Sequence, residues 1–276
     1  MKRLIFIFTL LFVYMATYAT GWDADIIYID GAEWMLLGKP IYSDFVLRKD
    51  MIAALPPQRS TSTANWDGYT AYWSIQHEKL CLDSIEYNLY DSETKKYRSE
   101  CLPQDVLIRV FEKYTDGKRI VASWFSDDIR VASGKQIYYE HTLYERNYEN
   151  ERIIGIERGK VCSMKDYHNY ILEGFSFSQL KNNADLREMF PLHIEQYPEL
   201  VDVKQIAFYI KRARVDAQGN LVECKVKVYR PDDNPRLAAE MAEMLMAYHP
   251  WQVYYINGEY LALGIQGCII RYDLDE

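Results

Sequence analysis

From residue 22 to about 174 the apolar residues come in short runs, mostly with a period of two. Polar turn residues break the runs roughly every ten positions. A period of two sends alternate side chains to opposite faces, the pattern of a strand buried on one side. Residues 26–29 form such a run, closed by Asp30-Gly31, and 69–75 and 80–87 read as two further strands. Val106, Ile108 and Val110 alternate, Asp116-Gly117 comes next, and Ile120, Ala122 and Trp124 resume the period. An Asp-Gly step between alternating runs predicts a hairpin. Strands are expected again at 136–143, 152–156 and 167–172, with Glu157-Arg158-Gly159-Lys160 as a turn. One short helix interrupts them, opening at Ser43, carrying Phe45, Val46, Met51 and Ile52, and closed by Pro56-Pro57. Residues 58–65 are polar and loop-like. So many short strands fit a sandwich, an open barrel or a strongly bent sheet, and the pattern does not choose among them.

The period changes near residue 174. Residues 178–190 carry helix formers, with Leu180, Ala184 and Met189 as core contacts, and Pro191 and Pro198 punctuate the stretch up to 200. Beyond 200 the strand pattern returns. Ile206, Phe208 and Ile210 fall on one face, Gln218-Gly219-Asn220 makes a turn, and 221–229 is the return strand, with Glu223, Lys225 and Lys227 on its wet side. Asn234 before Pro235 is a favoured helix start. Leu237, Met241, Met244, Leu245 and Tyr248 then keep helical spacing until Pro250. Trp251 is placed to cover the junction of helix and sheet, and Asn257-Gly258 turns the chain into a last strand region at 260–272.

This tail resembles the C-terminal domain of TonB-type proteins. The resemblance rests on the hairpin with Asp216, Gly219 and Leu221-Val222, on Pro235-Arg236-Leu237 with Glu240, on Pro250-Trp251, on Asn257-Gly258, and on Ile269-Ile270-Arg271-Tyr272. It covers about 75 of the 276 residues. It implies a small α+β fold, one helix packed on a three-stranded antiparallel sheet, that does no chemistry and binds partner proteins through an exposed strand edge. By that analogy the candidate partner-binding edge is Gln266, Cys268, Ile269, Ile270, Arg271 and Tyr272. The expected organisation is a signal peptide at 1–19, a β-rich domain at 20–175, a connecting helical segment at 176–200 and the TonB-like domain at 201–276. The fold class is thus a mainly β N-terminal domain plus a small α+β C-terminal domain. The N-terminal strands, with Tyr69-Thr70-Ala71-Tyr72-Trp73 and Trp124-Phe125-Ser126, are similar to uncharacterised β-rich bacterial exported proteins, and no activity follows from that.

The head sets the expected compartment. Lys2 and Arg3 precede an apolar run at 4–16, and Thr17-Tyr18-Ala19 places small residues at the −3 and −1 positions of a cleavage site after Ala19. The run is shorter than the roughly 20 residues of a spanning helix. Export is therefore expected, and the resemblance narrows the destination to a periplasmic or secreted protein of a Gram-negative-type cell envelope. The partner is then a periplasmic or outer-membrane protein, and membrane association follows only if the signal segment is retained. A retained head would make the chain a short, atypical transducer; it carries no long Pro-rich or Lys/Glu-rich spacer.

Composition excludes one class and leaves another open. The 32 basic and 40 acidic side chains give a net charge of −8, and losing Lys2 and Arg3 takes it to −10. An acidic chain without a basic run argues against nucleic-acid binding. The 24 tyrosines suit half-buried strands. Five cysteines, Cys81, Cys101, Cys162, Cys224 and Cys268, are an odd number, so at least one is unpaired. Cys81 with Cys101 is the pair nearest in sequence, and Cys224 shares a strand face with Val222, Val226 and Val228. The histidines, His77, His141, His168, His193 and His249, show no metal spacing. Asp166 with His168 reads as a surface ion pair rather than a catalytic one, Glu140 and His141 point to opposite faces if their segment is a strand, and nothing orients Cys162 with His168 as nucleophile and base. Asp23, Asp25 and Asp30 read as polar flanks of a strand rather than as calcium ligands. No catalytic residue, cofactor or metal is assigned. The expectation is a non-enzymatic interaction protein; the alternative is a secreted sugar-binding protein or hydrolase with an aromatic cleft near Trp66, Trp73 or Trp124.

Overall fold

A computed structural model describes residues 21–274, so the apolar head and its expected cleavage site lie outside the described residues. The chain is mainly β and divides into two compact units between Tyr167 and His168. Among the described residues no helix is long and apolar enough to cross a membrane.

The strands of the first unit are β1 (Asp25–Ile29), β2 (Ala32–Leu36), β3 (Tyr69–Gln76), β4 (Lys79–Asp91), β5 (Lys96–Cys101), β6 (Ile120–Val121), β7 (Asp127–Tyr139), β8 (Arg146–Glu157) and β9 (Lys160–His168). They pair in the order β3-β1-β2-β7-β8-β9-β4, and β4 also pairs with β3, so the sheet returns on itself. The β9–β4 seam is a single pairing, Lys79 with Lys160. Of the three architectures open to the sequence, this ring is a barrel. Three of its hairpins turn on two residues that both have positive φ: Asp30-Gly31, His77-Glu78 and Arg158-Gly159. That backbone matches the twist of the flanking strands. The core inside holds Ile27, Ile29, Trp73, Leu80, Ile129, Val131 and Ile154.

Two helices close this unit. The first, α1 (Phe45–Ala54), is capped by Asp44, whose Oδ1 accepts from Leu47 N–H at 2.9 Å, and not by Ser43. Ser43 instead ends a 3-10 turn at Pro40–Ser43 and donates to Pro40 O. Leu47 and Met51 face the core, while Phe45 and Val46 are exposed. The second, α2 (Gln104–Val110), replaces the expected strand at Val106, Ile108 and Val110. The apolar set there includes Leu107 and Phe111, both buried, with Val106 and Val110 packed beside them. Those four fall at i, i+1, i+4 and i+5, which is one helix face, and Pro103 fixes φ where the helix begins. The 106–124 hairpin is therefore not formed; β6 pairs with β4 instead. β7 and β8 also begin earlier than expected, because bulges at Ser133/Gln136 and Gln136/Tyr138 break the alternation between them.

The second unit holds two three-stranded sheets. One has the order β10 (Tyr170–Leu172), β13 (Val253–Ile256), β14 (Glu259–Leu261). The other is antiparallel throughout, in the order β12 (Leu221–Arg230), β11 (Gln205–Val215), β15 (Ile269–Asp273). The expected strand region 260–272 is thus split between two sheets. Ala262 O accepts from both Ile265 and Gln266 N–H, and Gly267 has φ +81, so the chain reverses between β14 and β15. The expected helix at 178–190 is a 3-10 turn (Phe177–Gln179) followed by α3 (Asn183–Met189), because Asn182 caps the helix by accepting from Asp185 N–H.

The helix α4 (Pro235–Ala247) agrees with the sequence reading. Asn234 Oδ1 accepts from Leu237 N–H at 3.0 Å, and Leu237, Ala238, Met241 and Leu245 are buried. Trp251 is fully buried just past its end and donates from Nε1 to Leu245 O at 3.0 Å. That bond satisfies a carbonyl of the last turn, which has no partner within the helix. Phe175, Phe177, Phe190 and Tyr248 pack around the indole, with ring centroids 5.2, 5.5, 6.1 and 5.3 Å away.

Candidate functional site

The six residues expected to form a binding edge have three different placements. Ile270 and Tyr272 point into the core, and the Tyr272 hydroxyl donates to Phe190 O at 2.9 Å. Ile269 and Arg271 point to the opposite face and are exposed, Ile269 by 42%. Gln266 and Cys268 lie in the reversal before the strand. The Cys268 carbonyl accepts from Ile210 N–H, its thiol contacts Gly264 O, and burial pushes that thiol's pKa up.

The pairing of β15 with β11 fixes which backbone groups look outward. Leu274 N–H donates to Lys204 O, and Ile210 N–H donates to Cys268 O. Residues opposite one another in an antiparallel ladder alternate between exchanging both bonds and none. The bonded positions on this strand are therefore 268, 270, 272 and 274. The N–H and C=O groups of Ile269 and Arg271 point away from β11, along an edge that no other strand among the described residues covers. One outward carbonyl, that of Asp273, is occupied by Arg187 Nη2 at 2.6 Å. The opposite edge of the sheet, β12, carries Glu223, Lys225, Lys227 and Arg230, and charge of this kind discourages strand pairing.

The hairpin of β11 and β12 is also where positive charge collects. Lys211, Arg212, Arg214, Lys225, Lys227 and Arg230 are carried on its two strands. Glu223 is shared by Arg212 at 3.3 Å, Arg214 at 3.7 Å and Lys225 at 3.5 Å. An acidic chain thus has a locally basic surface, which a count along the sequence does not reveal because the cations come from two strands.

In the first unit two of the three tryptophans meet, Trp73 and Trp124, with ring centroids 6.3 Å apart. Trp66 is 68% exposed and Trp73 is fully buried. Trp124 is half-buried against Phe111 and Tyr114, and its Nε1 donates to Pro40 O. The sequence reading missed the polar network around Trp73. Asp25 was expected on a wet flank, yet it shares a strand face with Ile27 and Ile29 and points inward with them. Its carboxylate accepts from Lys39 Nζ at 2.7 Å, Trp73 Nε1 at 3.1 Å and Ala71 N–H at 3.1 Å. Burial raises its pKa, opposed by Lys39 and the other donors. Close by in the same network, Arg48 makes two bonds to Asp67, at 2.8 and 2.9 Å. Burial pushes the Asp67 carboxyl up, and the bonds from Arg48 and Tyr42 outweigh it and hold the pKa low. The Tyr69 hydroxyl is buried without a hydrogen-bond partner. The Asp25 signal was legible, since its spacing from Ile27 and Ile29 is the inward spacing. The charged groups of this network are paired with one another, and the side chains of Asp25, Lys39 and Trp73 are closed off from solvent.

A second cluster stands in the other unit. Glu240 on α4 accepts from His193 Nδ1 at 2.7 Å, from His193 N–H at 3.1 Å and from the Tyr197 hydroxyl at 2.5 Å. Partial burial would raise the Glu240 pKa, but these bonds outweigh it and lower it, while burial and Glu240 together push the Tyr197 hydroxyl up to about 12. Asp166, expected near His168, pairs with Arg152. Glu140 and His141 take separate partners, Tyr138 and Tyr139. Asp30 is exposed at its turn while Asp25 is buried, so the N-terminal aspartates do not converge. Among the described residues no group of His, Cys, Asp and Glu could hold a metal. All five cysteines are free thiols. No family model, no curated protein and no solved structure matches this chain.

Proposed function

We propose that this chain is an exported, non-enzymatic cell-envelope protein that binds a periplasmic or outer-membrane partner by strand addition to β15. One observation supports the reading: the backbone N–H and C=O groups of Ile269 and Arg271 point along an edge with which no other strand among the described residues pairs. An extended segment of a partner adds there as a fourth strand, gaining main-chain hydrogen bonds, while the exposed Ile269 side chain supplies an apolar contact. The resemblance of the tail to TonB-type C-terminal domains supports the same use of this strand. The apolar head supports export. The placement of Trp66, Trp73 and Trp124 lends nothing to a sugar-binding cleft.

The test is photo-cross-linking in cells that export the full chain, with a photoreactive residue at Ile269. A specific envelope-protein adduct is expected. Arg271→Ala should retain it, because the backbone donor remains. Arg271→Pro should lose it, because proline removes an outward N–H and leaves the pairing to β11 intact. Equal adducts from both variants would sink the strand-addition reading.

A further inference from the structure

β11 extends to Val215, but β15 pairs with it only over 205–209. Ile210 still bonds the reversal, donating to Cys268 O at 3.0 Å and accepting from Gly267 N–H at 2.9 Å. Beyond it, no strand among the described residues pairs with the same edge over 212–215. The Ala213 N–H, which a neighbouring strand would bind through a backbone carbonyl, meets a side chain instead, Gln266 Oε1 at 3.4 Å. A groove of about 570 Å³ opens along this edge. Arg212, Ala213 and Arg214 line one wall, and Tyr260 and Leu263 line the other, with Gln266 between.

We infer that this groove binds an extended acidic peptide segment, whose backbone takes the Ala213 N–H from Gln266 and whose carboxylates meet Arg212 and Arg214. Four features support it. A strand edge offers donors and acceptors at the repeat of an extended chain, so it selects a peptide over a compact ligand. The Gln266 bond is at the long limit of hydrogen-bond geometry, so its displacement costs little. The volume falls within the range of ligand sites, about 300–1,000 Å³. The charge is also suitable. Arg212, Arg214 and Lys225 share Glu223, and Glu259 is the acid on the far wall, so positive charge remains in excess. Tyr260 is partly fixed, with its ring 4.9 Å from Tyr255, which stacks at 4.8 Å on Tyr170. The far wall is therefore one end of a row of three tyrosines across β14, β13 and β10. This site is separate from the outer edge of β15 and does not depend on it.

The test pans a displayed library of random seven-residue peptides against the chain from Gly21 onward, beside an array of uronic-acid oligosaccharides. Selected peptides should carry Asp or Glu at alternate positions. They should bind at least tenfold more weakly to Arg212→Glu/Arg214→Glu, whose two side chains are more than half exposed and can change without unfolding the sheet. N-methylation of a central peptide bond should weaken binding, Gln266→Ala should strengthen it severalfold, and Arg271→Pro should leave it unchanged. Four results would overturn the inference: no acidic enrichment, no loss in the double variant, indifference to N-methylation, or binding of the oligosaccharides alone. Loss in Arg271→Pro with none in the double variant would assign the peptides to the β15 edge, leaving that reading standing and this one not.

Discussion

The Asp25 carboxylate and the Lys39 ammonium meet at 2.7 Å with side chains only 1% and 3% exposed. Each charge is out of water and depends on the other. Trp73 Nε1 and Ala71 N–H complete the shell of the carboxylate. Removing one partner strands the other, which typically costs about 3–5 kcal/mol. Lys39→Met should therefore destabilise the protein by that amount in denaturant unfolding. Asp25→Asn/Lys39→Met should recover part of the loss, because an amide keeps hydrogen-bonding capacity without a buried charge. A double variant as unstable as the single one would show that the pair is not the source of the effect.

Gly219 ties a turn to the aromatic core. Its φ is +83, and a Cβ built there would lie 2.8 Å from Trp251 O. Gly219 O also accepts from Trp251 N–H at 2.9 Å. Gly219→Ala is expected to lose more than the ~1–2 kcal/mol that a left-handed backbone costs an L-residue, because the Trp251 backbone must also move. Thermal unfolding monitored by tryptophan fluorescence would measure this. Gly117→Ala, at φ +88 with open space around its Cβ, is the control that isolates the backbone cost.

Gly219 was legible in the sequence as a turn, but its contact with Trp251 was not, because no local pattern encodes a neighbour so far along the chain. The same division holds elsewhere. The caps, turns and helix of the tail could be read because Asn234, Pro235, Pro250 and Asn257-Gly258 act on their own backbone. The strand expected at Val106, Ile108 and Val110 failed because three alternating residues outweighed Leu107 and Phe111, which complete a helical face. β7 was read too short because bulges shift the register within it. The edge at Ile269 and Arg271 was proposed from likeness, and the alternation of bonds along β15 says which atoms it exposes. The vacant stretch of β11 has no reading in the sequence and Asp25 reads there only as a polar flank, since the open edge and the partners of Asp25 both depend on which strands become neighbours.

The five thiols should separate by reactivity. Burial raises the pKa of Cys81, Cys224 and Cys268, that of Cys224 to about 11, while Cys101 and Cys162 are exposed. The thiolate is the reacting form, so burial acts twice, through access and through ionisation. Brief alkylation of the reduced native protein at pH 8, read by peptide mass spectrometry, should label Cys101 and Cys162 first. All five should label in denaturant. Early labelling of Cys224 or Cys268 would mean that the second unit opens more readily than its packing implies.

Glu240 supplies a pH dependence whose sign is fixed by its direction of shift. His193 and Tyr197 donate to the ionised carboxylate and hold its folded pKa below the ordinary value of 4.5. A carboxyl with a depressed folded pKa binds protons more readily when unfolded, so its contribution is present above the ordinary value and is lost as pH falls through the folded one. Hydrogen bonds to a charged group contribute about 1.5–3 kcal/mol, and the partial exposure of this site favours the lower end. Glu240→Gln should thus cost about 1–2 kcal/mol at pH 7. The gap between wild type and variant should stay level down to about pH 5 and then close as the wild-type carboxylate is protonated. Denaturant unfolding of both proteins at intervals between pH 7 and pH 3.5 would trace that closure. A gap that stays constant to the acid end would mean that the lost contact is one of packing, and that the three bonds to Glu240 hold the segment before β11 against α4 without help from its charge.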